Sequence, residues 1–188
     1  MTIRKFFVFA LLFTLGACSK DADSARNEGG ATPAQGSKEQ AEEDLADLTK
    51  YDLSMDKMDE YFQTMRNVAE EYKKMSPAER EAMEMQNDNN ASLEQMIDKA
   101  ESNKVIKDAT RKAGSSPREY VMTSLSYFTS AMAMSVLQMQ PNANQDSLMR
   151  EMKVNPDNVK FIKEHEAELT TKYKAMEAEM KALEPEES

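Results

Sequence analysis

Glycine is scarce in this chain: five residues in 188, of which only Gly114 follows Gly36. A phosphate-cradling loop or a Gly-x-Ser-x-Gly nucleophile elbow needs clustered glycines, so neither is available to the C-terminal part. Cysteine occurs once, at Cys18, which excludes an internal disulfide and any Cys-x-x-Cys zinc or redox motif. Tryptophan is absent and His165 is the only histidine. Basic residues are outnumbered 24 to 34 by acidic ones, for a formal net charge of −10. Such a chain repels nucleic-acid phosphates and anionic lipid heads, and attracts a basic protein or a cation. This speaks against nucleic acid as a partner and for general solubility. The apolar run Phe6 to Leu15 is about ten residues, too short for the ~20 needed to cross a bilayer.

What is present begins at the N-terminus. Arg4-Lys5 precedes ten largely apolar residues, Phe6 to Leu15, and then Gly16-Ala17-Cys18. A charged n-region, a short h-region and small residues before a cleavage point make a secretory signal. The run Leu15-Gly16-Ala17-Cys18 resembles the lipobox of bacterial lipoproteins. That resemblance implies that residues 1–17 are removed and that Cys18 becomes the first residue, carrying acyl chains such as palmitate on its sulfur and amino group. The competing reading is an ordinary secreted protein with a chance cysteine. Two observations favour lipidation: a lone thiol in an oxidising compartment is a liability, and more than one acyl chain gives stable anchoring. In the lipoprotein family, Asp after the cysteine favours inner-membrane retention. Ser19 stands there in this chain, which implies the outer membrane, with the protein facing the periplasm. Cleavage leaves 171 residues and takes the formal charge from −10 to −12 through loss of Arg4 and Lys5.

Residues 18–44 read as a flexible tether. No Val, Ile, Leu, Met or aromatic residue lies between Cys18 and Leu45, and Gly29, Gly30, Pro33 and Gly36 interrupt it. Such a segment buries too little apolar surface to fold. A flexible chain of this length spans roughly 25–30 Å.

From residue 45 to about 184 the pattern is helical, and the expected fold class is all-α: one bundle of about five or six helices, followed by an acidic tail at 185–188. Ser76-Pro77-Ala78-Glu79 and Ser116-Pro117-Arg118-Glu119 each place a capping Ser, a first-turn Pro and a Glu three residues after the cap. Asn155-Pro156 opens a last helix with a capping Asn and a first-turn Pro. Met55, Met58, Phe62, Met65, Ala69 and Tyr72 recur at intervals of three and four, which marks a buried stripe over 55–75. A short helix is expected over 77–86. Another follows Ser92 with Leu93, Met96, Ile97 and Ala100 inward, and a third carries Val105, Ile106, Ala109 and Ala113 and stops at Gly114.

Residues 117–139 differ. No charged residue occurs between Glu119 and Asp146, and apolar side chains lie all round the helix. A helix of this kind is either the centre of a bundle or a membrane span. Six hydroxyls (Thr123, Ser124, Ser126, Thr129, Ser130, Ser135) and the lack of flanking basic clusters favour the centre. A long loop is expected from Gln140 to Asn155. The final helix, 156 to about 183, carries Val159, Ile162, Leu169, Tyr173, Met176, Met180 and Leu183, with one polar break at Glu166. It reads as one more bundle helix, with a self-pairing coiled coil as the alternative.

Candidate chemistry is thin. His165 could share a face with Glu168, whereas Glu164 and Glu166 point elsewhere. A catalytic zinc site takes about three protein ligands, and no motif marks the others. The 16 methionines include Met83-Glu84-Met85 and Met132-Ala133-Met134. Thioethers suit Cu(I), but residues two apart on a helix diverge by about 160°, and methionine is an adaptable core filler. No catalytic residue, cofactor or metal ligand is therefore assigned. The lipid-bearing Cys18 is the one site residue.

Two further stretches, 112–120 (Lys112 to Tyr120) and 154–169 (Val154 to Leu169), resemble a family of small secreted or lipid-anchored helical proteins of Gram-negative bacteria without an assigned activity. The resemblance implies the helical fold and no chemistry. The expected function is a non-enzymatic envelope lipoprotein acting as a binding or structural module. The alternatives are an immunity-type inhibitor of a basic toxin or cell-wall hydrolase, and a copper carrier or enzyme.

Overall fold

A computed structural model describes residues 44, 46–76, 78–80, 91–140 and 144–183. Among them the chain is all-α, with seven bounded helices and shorter helical stretches at 46–50 and 78–80. We number the seven α1 (Met55–Lys74), α2 (Leu93–Ser102), α3 (Lys104–Ala113), α4 (Pro117–Met139), α5 (Gln145–Glu151), α6 (Pro156–Glu164) and α7 (Glu166–Leu183).

The caps explain where most helices begin. Ser54 accepts a hydrogen bond from the Lys57 amide, and Ser116 accepts one from the Glu119 amide. At Ser76 the capping is reciprocal: Ser76 Oγ accepts from the Glu79 amide, and Glu79 Oε2 accepts from the Ser76 amide at 2.7 Å. Ser92 and Gln95 form the same box at the start of α2. Asn103 both ends α2 and caps α3 through the Val105 and Ile106 amides. Gly114 closes α3 with φ +83°, the left-handed conformation that glycine adopts without steric cost.

α4 is the centre of the bundle. Val121, Met122 and Leu125 pack with Leu93, Ile97 and Ala100 of α2. Tyr127, Ala131 and Met134 pack against a cluster of Leu53, Met58, Phe62, Ile162, Leu169 and Met176. Ala133 joins Val154 and Val159 in a third cluster. A stripe of small residues, Thr123, Ser126, Ser130 and Ala133, is fully buried. Their size permits close approach, and each large side chain buried around them contributes about 1.5–3 kcal/mol. Among the described residues no helix is long and apolar enough to cross a membrane.

α1 is flanked by α3 and α7. Asn67 Nδ2 donates to the Ala109 carbonyl at 2.9 Å, and Lys112 pairs with Glu71 at 3.0 Å. On the other side Asp59 pairs with Lys172, and Arg66 with Glu179. Both pairs advance by seven residues on each helix, so α1 and α7 run parallel. The stripe of the last helix, including Leu169 and Met176, is thus taken up by α1 within the chain.

The structure departs from the sequence expectation at two places. The last helix is not continuous. It breaks at His165, whose φ −107° and ψ 13° leave the helical range, one residue before the polar break at Glu166. α6 packs on α4 and α7 packs on α1, and one straight helix could not serve both. The region read as a loop, 140–155, contains α5, capped by Asn144 through the Ser147 amide. Seven residues with one apolar pair are too short to show a period. The helix expected over 77–86 is seen at 78–80, and residues 81–86 lie outside the described residues.

Candidate functional site

Cys18, the lipobox and nearly all of the tether lie outside the described residues. Asp44, which the sequence reading set at the end of a tether, is described: it is helical, and its Oδ2 accepts from the Leu93 amide at the start of α2.

His165 sits half-exposed at the α6–α7 break. Its ring lies 4.8 Å from that of Phe161, and its Nδ1 is 3.9 Å from Glu168 Oε2. The pairing anticipated from helical spacing is therefore present, but longer than a hydrogen bond. Glu168 also faces Lys172 at 3.5 Å, and Glu164 faces Lys160 at 3.9 Å. Among the described residues no group of three or more His, Cys, Asp or Glu side chains is placed to hold a metal ion.

The methionines divide by helix face. Met58, Met122 and Met176 are buried, and Met55, Met65, Met134 and Met180 pack against the main cluster. Met65 Sδ accepts a hydrogen bond from the Tyr120 hydroxyl at 3.2 Å. Met132 and Met134 are both partly covered, and only Met134 packs against the main cluster. Met83 and Met85 lie outside the described residues.

The densest polar constellation was not legible in the sequence. Residues 51–54 carry the chain into α1 and are gripped from three sides. Asn158 Oδ1 accepts from the Leu53 amide at 2.8 Å, and its Nδ2 donates to the Tyr51 carbonyl at 2.8 Å. Asn155 Nδ2 donates to the same carbonyl at 3.1 Å and to Asp52 Oδ1 at 3.0 Å. The Tyr51 hydroxyl donates to Glu119 Oε1 and lies 2.7 Å from Thr123 Oγ1. Lys57 Nζ stands 3.9 Å over the Tyr51 ring, 2.8 Å from the Asp52 carbonyl and 3.4 Å from Glu119. Burial, reinforced by the Glu119 carboxylate, pushes the Tyr51 phenol well above its ordinary value, against a smaller opposing effect of Thr123. The Tyr51 hydroxyl thereby ties the segment entering α1 to the first turns of α4. Asn155 was recognisable as a cap. Asn158 carried one signal: an amide on the buried stripe beside Val159 and Ile162.

A second feature is the open side of α4. Opposite the buried stripe of small residues lie Phe128, Met132, Ser135 and Met139. Phe128 is 37% exposed and Met139 74%. The one other exposed large apolar side chain among the described residues is Tyr173, on α7. The strip carries no charge because α4 and the segment after it carry none between Glu119 and Asp146.

Comparison with protein-family models, with curated proteins and with solved structures returns no match.

Proposed function

We propose that this chain is a non-enzymatic, lipid-anchored binding or structural module of the bacterial envelope, held through Cys18 at the periplasmic face of the outer membrane. The observation that carries the reading is the sequence Leu15-Gly16-Ala17-Cys18 at the end of a charged-then-apolar leader, with Cys18 as the only thiol. One structural feature is consistent with a contact role: the bundle presents an uncharged apolar strip on α4. An acidic chain also suits a basic partner, which keeps the immunity-type inhibitor as a second reading: the excess of ten carboxylates would steer such a partner in.

Fractionation of cells making the native chain and a Cys18→Ser variant tests the anchor. The native chain is expected in the membrane fraction and the variant in the soluble periplasm. Mass spectrometry of the native N-terminus should find an acylated Cys18. An unacylated terminus, or one that keeps residues 1–17, would overturn the reading.

A further inference from the structure

We propose that the open face of α4 pairs with the same face of a second copy of this chain, antiparallel and about a twofold axis. Three observations lead there. Two of the three exposed large apolar side chains among the described residues, Phe128 and Met139, lie on this strip, and the third, Tyr173, is on α7. The chain carries a formal charge of −10 and repels its own copies, but no carboxylate or ammonium occurs between Glu119 and Asp146. Along this strip two copies meet without bringing like charges together, and a charged partner would find nothing to neutralise it.

The third observation is the spacing. Residues 128, 132, 135 and 139 are symmetric about the point between Ala133 and Met134. A twofold contact is self-complementary by construction. Here it sets Phe128 opposite the second copy's Met139, and Met132 opposite its Ser135. Large thus meets small near the axis, which lets the two helices approach closely. One helix face buries less than the ~800 Å² per partner of a standard stable interface, so the pairing is weak and reversible in dilute solution. It does not depend on Cys18 or on a lipid anchor.

Cysteine crosslinking of the full chain reads this geometry. In the antiparallel pair each Ser135 lies about 2 Å of helical rise from the axis, at 1.5 Å per residue. Each Met139 lies about 8 Å from it, which puts the two copies of Met139 about 16 Å apart. Under copper-phenanthroline oxidation, Ser135→Cys is expected to give a covalent dimer of twice the chain mass. Met139→Cys should give none above the unsubstituted chain, which controls for Cys18. Adding Phe128→Glu or Met139→Glu to the Ser135→Cys chain should cut the dimer about tenfold or more, because each copy would bury an unpaired carboxylate. Both positions are exposed, and an unchanged far-UV circular dichroism spectrum verifies folding. The pairing is refuted if Ser135→Cys yields no dimer above the control, or if the glutamates leave the yield unchanged. Equal crosslinking at 135 and 139, or a crosslink to a different protein, refutes it as well.

Discussion

Replacing Asn158 by alanine removes both hydrogen bonds that its amide makes to the segment entering α1. The Tyr51 carbonyl keeps a donor in Asn155, so its loss costs about 1 kcal/mol. The Leu53 amide has no second partner of this kind and sits on a residue only 7% exposed. An unsatisfied buried donor costs about 1–3 kcal/mol. The total of about 2–4 kcal/mol is a large share of the roughly 5–15 kcal/mol that holds a typical domain folded. For a chain of this size that corresponds to a fall in Tm of roughly 5–15 °C. Urea denaturation followed by far-UV circular dichroism measures the first figure and a thermal scan the second. Asn158→Leu, close in volume, separates lost hydrogen bonds from the cavity: it should be nearly as destabilised as Asn158→Ala. Amide exchange at Leu53 should accelerate in both. If Asn158→Ala stays within about 0.5 kcal/mol of the unsubstituted chain, burial of this amide is not what secures the segment and the reasoning fails.

Two other outcomes follow from the same structure. A methyl group at Gly114 meets nothing within 4 Å, so Gly114→Ala should cost only the left-handed backbone penalty of about 1–2 kcal/mol, read as a lowered urea midpoint with an unchanged slope; a neutral result would mean α3 does not end as described. Burial raises the phenols of Tyr51, Tyr61, Tyr120 and Tyr127 above their ordinary value of 10.0. Their contribution to stability is then fully present below pH 10 and is lost as the pH climbs above it, because the unfolded chain releases these protons first. Tyrosinate absorbance near 295 nm should therefore complete only together with loss of helical ellipticity, and full ionisation of a still-folded chain would contradict the burial.

Much of the architecture was legible because local chemistry dictates it. The start of α4 follows from Ser116-Pro117. Gly114 and Ser92 mark their helix ends for reasons confined to one turn of chain. Legibility ended where the determinant was distant. Nothing near His165 is a proline or a glycine, and the break there reflects α6 and α7 packing on different helices. Glu119 read as a reciprocal cap for Ser116, yet its Oε1 accepts from Tyr51, 68 residues away. Tyr173 counted as a core position and is 41% exposed.

The sequence by itself determined the all-α class, the starts of α1, α2, α4 and α6 and the end of α3, and the central place of the uncharged helix. Capping and helical periodicity act over one to two turns and need no partner to be read. Only the tertiary structure decided that Asn155, Asn158, Glu119 and Thr123 converge on residues 51–53, that α7 runs parallel to α1, and which side of α4 stays open. Those facts depend on which surfaces meet after the chain has turned back on itself. A helix apolar all round offers every face equally, and its neighbours choose which to cover.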